Sequence, residues 1–333
     1  MKKIVITGGA GFIGSHIAER FAELYPTSAI VLLDKMTYAA DIRNIMPLMT
    51  AGQVQLIVGD IVDPGTCERA VNGADLVIHA AAESHVDNSF ANSYEFTKTN
   101  VFGTHCLIEA CHNARVNKFI HVSTDEVYGE MLTGNANEDT ALLPTNPYSA
   151  SKAAAEMIIK GYRMSFKFPV IIVRANNIFG IRQYPEKIIP KFLLSLMMGH
   201  HLTIHGTGRH VRHYLSAWDL ADAIDLLVRK GEIGGCYNVG ATEEYTILEM
   251  AQMLCNLFGL DADEHITFVQ DRPFNDARYS LDWSRIEALG WSAKRQLKLE
   301  LPGIAQWYAA NLGRYEDARK AIRTPGTHPA NSQ

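Results

Sequence analysis

Apolar residues in the first half of the chain come in short, uninterrupted blocks: KIVIT, AIVLLD, VQLIVGD, ADLVIHAA, KFIHVST and PVIIVRAN. Such Val- and Ile-rich blocks predict strands, and their lack of polar alternation predicts a parallel sheet covered on both faces. Longer segments with helical spacing lie between them, among them GSHIAERFAELY and SYEFTKTNVFGTHCLIEACHNA. Strand–helix alternation of this kind predicts an α/β fold. After residue 180 the rhythm loosens: PEKIIPKFLLSLMMG and YTILEMAQMLCNLFG read as helices, LTIHG and HITFVQ as short strands. The expected organisation is a main domain over 1–180 with segments near 214–245 returning to it. A smaller C-terminal lobe would span 181–213 and 246–323, and 324–333 (TPGTHPANSQ) would be a disordered tail.

Composition narrows the function classes. A chain of 333 residues outgrows one core of usual size, so one large or two intimately joined domains are expected. A formal net charge of −5 argues against a nucleic-acid surface or an anionic membrane as partner. Phosphate-bearing ligands stay compatible with it, since backbone amides and a few cations can hold them. The five cysteines form no CxxC and no metal-like cluster, which reads as reduced thiols in a cytoplasmic protein without a metal. The apolar run at the N-terminus is too short for a signal peptide, and no stretch approaches membrane-spanning length.

The first chemical motif is TGGAGFIGSH, where Gly8, Gly11 and Gly14 follow the first strand and open a helix around Phe12 and Ile13. Glycines there let the backbone turn tightly and approach a pyrophosphate at the helix N-terminus. A lone glycine triplet is weak, because tight turns also need glycine. Context strengthens it: the second strand ends in Asp34 and Lys35, and an acid about 20 residues on suits a ribose 2′-hydroxyl. That carboxylate would repel a 2′-phosphate, so NAD is expected over NADP. Asp60 and Ile61 after the third strand would flank the adenine, with Ala80 and Ala81 after the fourth completing the cofactor set. The main domain is thus expected to be a Rossmann-type doubly wound sheet that binds NAD.

The second motif is NPYSASK, which puts Tyr148 and Lys152 one helical turn apart on a common face. A tyrosine is a poor base near neutral pH. A lysine ammonium and the positive nicotinamide of an oxidised cofactor would both lower its pKa, giving a phenolate able to take a hydroxyl proton. Alone, such a pair is usually a packed tyrosine beside a solvated lysine. Here Thr124, at the preceding strand end, could bind the same oxygen. Directly after it stand two neighbouring acids, Asp125 and Glu126 in STDEVYGE. An arbitrary acid pair after a strand is most often a solvated loop.

These motifs together resemble the extended short-chain dehydrogenase/reductase family, and within it the nucleotide-sugar 4,6-dehydratases. The likeness runs through TGGAGFIGSH, AAESHVDNSF, STDEVYGE, NPYSASKAAAE, RANNIFG, QYPEKIIPKF, HGTG and DRPFNDARY. The family's sugar epimerases share the glycine loop and the Tyr-Lys pair but carry small or neutral residues at the acid positions. The resemblance implies a role for each acid. Oxidation at C4 of the hexose makes the C5 proton acidic, and Glu126 would remove it. The C6 hydroxyl must leave as water, and Asp125 would supply the proton. Close carboxylates push their pKa values apart, as one base and one acid require. Which of the two keeps the proton comes from the resemblance, since the sequence is symmetric.

The same resemblance implies substrate contacts: Ser84 and His85 at the sugar, Asn177 at the diphosphate, Glu186 and Lys187 at the sugar nucleotide. It further implies Arg212 at a phosphate, for which a guanidinium fork is suited, and Arg272 and Asn275 near ribose and base. His213 and the Phe274-Asn275 pair depart from the thymidine-diphosphate branch, so UDP-glucose is slightly favoured over dTDP-glucose. Two alternatives stay open: a 4-epimerase or dehydratase of another nucleotide sugar, and a non-catalytic NAD-binding regulator. Helical segments 92–113 and 148–167 are apolar beyond one stripe, at Val101, Leu107, Ile108, Met157 and Ile158. With the resemblance, this implies a homodimer through an intersubunit four-helix bundle.

Overall fold

The computed structural model describes residues 1–271 and 275–317. Arg272, Phe274 and the 324–333 tail fall outside them. In chain order the strands are β1 (Lys3–Thr7), β2 (Ala29–Asp34), β3 (Val54–Val58), β4 (Leu76–His79), β5 (Lys118–Thr124) and β6 (Val170–Ala175). Then come β7 (Asn177–Phe179), β8 (Leu202–His205), β9 (Val211–Ser216), β10 (Cys236–Val239), β11 (Glu244–Thr246) and β12 (Ile266–Val269).

The main sheet has seven strands in the order β10-β6-β5-β4-β1-β2-β3, all neighbours parallel. This is the doubly wound, Rossmann-type arrangement, and strand order reverses between β1 and β4, where such sheets leave a crevice at their C-terminal edge. The apolar blocks form strands because both faces are covered. Along β1, Ile4 and Ile6 enter one core and Val5 the other; β2 splits the same way, with Leu32 against Val31 and Leu33. Helices Phe12–Leu24 and Ala217–Lys230 cover the first face. Helices Pro64–Val71, Thr104–Asn113 and Pro147–Phe166 cover the second.

A third core joins Phe179, Phe192, Leu202, Leu254, Leu301 and Tyr308 of the later residues. In it β8 and β12 pair parallel, and β7, β9 and β11 form a separate small sheet. The segment after this sheet begins goes back: β10 docks beside β6, at the edge of the main sheet. Among the described residues no helix is long and apolar enough to cross a membrane.

Two expectations need correction. The 92–113 segment is not one regular helix: a π-helical stretch, Thr97–Gly103, separates Ser93–Phe96 from Thr104–Asn113. The Thr104 hydroxyl donates to the Asn100 carbonyl at 2.6 Å, and a Cβ at Gly103 would stand 2.8 Å from Ile61. The apolar residues also divide differently. Leu107 and Ile108 are buried in the chain's own core, whereas Tyr94, Phe102, Met157, Met164 and Phe166 are the exposed ones.

Candidate active site

The glycine loop lies at the β1–β4 crevice. Gly8 holds φ +69°, and a Cβ there would meet Ala81 backbone atoms at 2.9 Å. At Gly14 a Cβ would be 2.0 Å from the Gly8 carbonyl oxygen, so the helix starts pressed onto the turn. No side chain caps this helix at Gly11 and no acid sits in its first turn, where Phe12 and Ile13 stand. Such an uncapped end complements an anion. Asp34 is buried; its Oδ2 accepts from the Ala10 amide at 2.9 Å and its Oδ1 from the Met36 amide at 2.8 Å. Burial pushes its carboxyl up, against those bonds. Lys35 pairs with Asp60 at 2.8 Å, while Ile61 is buried. The Ala81 amide donates to the Thr7 hydroxyl at 3.2 Å and the Ala80 amide to the Thr7 carbonyl at 3.3 Å. The cofactor candidates therefore surround one crevice.

Next to it, β5 delivers the acids. Thr124 ends the strand and caps a 3-10 turn, Asp125–Tyr128, by accepting from the Glu126 amide at 3.2 Å. The solvated-loop reading fails at Asp125, which is only 2% exposed. Its Oδ2 accepts from Asn176 Nδ2 at 2.9 Å and its Oδ1 from the Thr124 hydroxyl at 3.2 Å. Burial raises its pKa to about 7, with Asn176 pulling down and Glu126 adding to the rise. Glu126 accepts from Asn146 Nδ2 at 3.2 Å. Burial raises it too, opposed by Asn146 and by the charges of Arg212 and Lys187.

Asn146 serves twice, because it also caps the Pro147–Phe166 helix through a reciprocal bond pair with Ser149. That helix presents Tyr148 and Lys152, both buried. Lys152 Nζ donates to the Val122 carbonyl at 2.7 Å, and burial lowers its pKa to about 8. The expected depression of Tyr148 is not a property of the protein alone. Burial, then the Glu126 charge, raise the phenol, and only a hydrogen bond with Thr124 lowers it.

The outer rim gathers other candidates. Lys187 Nζ donates to the Ser84 carbonyl at 2.6 Å. Tyr38 donates to Glu186 Oε2 at 2.7 Å, and His85 Nδ1 is 3.7 Å from the same carboxylate. Arg212 on β9 reaches Asn275 Oδ1 at 3.2 Å and stacks over Tyr279, 4.6 Å from the ring centroid. Asn177 opens β7 half-buried beside Asn176. Arg272 lies outside the described residues. His213 turns away, its ring bonded to the Ala241 carbonyl at 3.0 Å.

Several residues escaped sequence reasoning. Asn176 and Asn146 hold the two carboxylates, although the N-P-Y-S capping pattern was readable at the latter. Asn100 in the π-helical stretch exchanges bonds with the Glu83 backbone at 2.9 Å each way and donates to the Ser151 hydroxyl at 2.8 Å. It thereby ties the Tyr-Lys helix to the loop after β4.

Comparison with known proteins shows the family. The GDP-mannose 4,6 dehydratase family model matches residues 5–300. A trifunctional UDP-glucose 4,6-dehydratase/UDP-4-keto-6-deoxy-D-glucose 3,5-epimerase/UDP-4-keto-L-rhamnose-reductase of Arabidopsis thaliana is 45% identical over 96% of this chain and 49% of its own length. The chain thus spans about half of that relative. A dTDP-D-glucose 4,6-dehydratase of Bos taurus is 40% identical, over 96% of this chain and 92% of that one. The crystal structure of DesIV, a dTDP-glucose 4,6-dehydratase from Streptomyces venezuelae with NAD and TYD bound, superposes with a TM-score of 0.92. It is 37% identical and covers 95% of this chain and 99% of that one. Crevice, acid pair, Tyr-Lys helix and these matches converge: the chain belongs to the GDP-mannose 4,6 dehydratase family.

Proposed function

We propose that this protein is an NAD-dependent nucleoside-diphosphate-glucose 4,6-dehydratase, a lyase that yields the 4-keto-6-deoxy sugar and water. The carrying observation is the acid pair beside Tyr148, Asp125 buried and Glu126 half-buried, since a 4-epimerase needs no elimination and a regulator needs no acids. The glycine turn, too tight for any Cβ at Gly14, fits a dinucleotide pyrophosphate. Gly8, Gly11 and Gly14 would hold it, Asp34 the ribose, and Lys35, Asp60, Ile61, Ala80 and Ala81 the rest. Bound NAD would supply reversible hydride storage, taking hydride from C4 and returning it at C6.

The chain's own groups handle the protons. Tyr148, with Thr124 on the same oxygen, takes the C4 hydroxyl proton, and its raised pKa makes the positive cofactor and Lys152 necessary partners. The 4-keto group then acidifies C5–H. Glu126 accepts that proton, while Asp125, held near pKa 7, gives its proton to the departing C6 hydroxyl. Glu126 then returns the proton to C5, while the hydride that bound NAD would have stored goes to C6, and the proton Tyr148 took at the C4 hydroxyl balances the one Asp125 gave up. Ser84, His85, Asn177, Glu186, Lys187, Arg212 and Asn275 line the nucleotide-sugar side, with Arg272 assigned there by resemblance.

UDP-glucose is proposed as the preferred substrate, supported by the plant relative's printed name and by Phe274-Asn275. One methyl is worth only about 1–3 kcal/mol in an apolar pocket, so dTDP-glucose should also react. The division into a cofactor domain and a substrate lobe, a cytoplasmic location supported by five unpaired cysteines, and a homodimer through the exposed Tyr94, Phe102, Met157 and Phe166 face complete the reading. Mass analysis after incubation with nucleotide sugars tests it: loss of one water from UDP- or dTDP-glucose is expected, and isomerisation without mass change would refute it. A dTDP-glucose kcat/KM more than about tenfold the higher would reverse the base preference alone. A monomer by light scattering would remove the dimer.

A further inference from the structure

Behind the acid turn lies an ion pair that the proton steps above do not use. Glu156 stands on the Pro147–Phe166 helix one turn past Lys152 and two past Tyr148, and it is fully buried. Arg174 of β6 grips its carboxylate with two prongs, Nε to Oε1 at 3.0 Å and Nη2 to Oε2 at 2.6 Å. The side chains are 1% and 0% exposed. Removing both charges from water costs several kcal/mol, so such a pair is weak support for stability and better understood as a device that fixes geometry.

Its other contacts say what is fixed. Ser123, immediately before Thr124, donates to Glu156 Oε1 at 2.7 Å. Arg174 Nη1 donates to the Tyr128 hydroxyl at 2.6 Å, and the guanidinium lies over the Tyr128 ring at 4.7 Å. Tyr128, the last residue of the acid turn, donates in turn to Asn238 Oδ1 of β10 at 2.8 Å. The Asn238 amide cannot swing away, because its Nδ2 donates to the Ala136 and Asp282 carbonyls at 2.9 Å each. Thr124, Asp125 and Glu126 are therefore bracketed: Ser123 in front and Tyr128 behind are both tied to one buried pair, half of which rides on the helix of Tyr148 and Lys152.

We infer that Glu156 and Arg174, acting through Ser123 and Tyr128, are positioning residues that hold the acid turn in register with the Tyr-Lys helix. This rests on the dehydratase reading and deepens it. Oxidation at C4 depends on Tyr148, which the helix itself carries. Elimination depends on the acids: Asn176 and Asn146 hold their carboxylates, but the backbone that carries both acids is fixed at its two ends by the bracket. Loosening the bracket should therefore slow the second half-reaction more than the first, and a misplacement of about 1 Å can cost about 10²-fold.

The test is Tyr128→Phe, which keeps the ring under Arg174 and removes only the hydroxyl. The NAD-loaded protein is mixed with UDP-glucose and followed by nicotinamide absorbance, mass analysis and steady-state kinetics. The expected result is a kcat lowered about 10–100-fold with KM within about threefold. Reduced nicotinamide and the 4-keto-hexose should accumulate, while the melting temperature falls by only a few degrees, because Asn238 Oδ1 loses its donor but the fold is otherwise intact. Ser123→Ala tests the front bracket with the same readouts and serves if Tyr128→Phe folds poorly. Equal slowing of both half-reactions, or no slowing, in the folded variant would overturn the inference while leaving the dehydratase reading intact. A wild-type protein that removes no water from any nucleotide sugar would overturn both.

Discussion

Asp125→Asn separates the electrostatics of the acid turn from its shape. The substitution keeps the volume, and an asparagine oxygen can still accept from Asn176, while Thr124 can turn its hydroxyl to accept. What disappears is the charge. Burial holds the Asp125 carboxyl up from its ordinary 3.8 to about 7. The folded protein thus keeps a proton that the unfolded chain has already released across that window. Its stability contribution falls as pH rises through the window and levels off above it. At about 1.4 kcal/mol per unit, the ionised side chain costs about 4 kcal/mol above pH 7. The side chain is 2% exposed, so water screens little of this. Glu126 titrates beside it and shares part of the rise, so about 2–4 kcal/mol is expected.

Urea unfolding of both proteins, at one protein concentration and from about pH 4 to about pH 8.5, measures it. The variant should match the wild type at the acid end and exceed it by about 2–4 kcal/mol at the alkaline end. A difference that stays flat with pH would refute the buried-acid account. The same variant should oxidise C4 yet stall before water leaves, with a loss of about 10²–10⁴-fold in turnover. In the wild type, kcat should decline as pH rises past about 7, as Asp125 loses its proton.

Tyr148→Phe should stop turnover before any nicotinamide is reduced, checked by absorbance after mixing with UDP-glucose. Asn176→Ala removes a bond that lowers the Asp125 pKa, so the alkaline limb of the kcat profile should move up in pH, and a downward move would contradict the assigned contact. Gly14→Ala places a methyl 2.0 Å from backbone oxygen, so NAD affinity measured by calorimetry should fall by about tenfold or more.

The sheet and glycine loop were legible because their signals are local: uninterrupted Val/Ile blocks, then glycines where the chain must turn. Of the short strands, β8 and β12 were legible and the other three were not. β7, β10 and β11 are three or four residues long, too short to show a period, and partners distant in sequence define them. The π-helical stretch was hidden because nothing local marks it: Ile61 packs against Gly103 and the Thr104 hydroxyl bonds the Asn100 carbonyl only in the folded chain. The Tyr-Lys pair could be found by spacing, and the acids by their place after β5. Their holders could not: Asn146 reads as a helix cap, but its second bond to Glu126, like the contacts of Asn176, Glu156 and Arg174, exists only once distant segments meet.

The late return of β10 has a consequence for how the chain matures during synthesis. Strands β1 to β6 and the glycine loop are complete by residue 175, but Asn238, which receives the Tyr128 hydroxyl, emerges from the ribosome much later. Until then β6 is an open edge with unpaired backbone groups, a template for wrong pairing. A nascent chain can assemble its nucleotide crevice well before the anchoring of its acid turn is complete. Ligand capture can therefore precede competence for elimination, and the unfinished β6 edge is the point at which a chaperone or a misfolding partner would first find purchase.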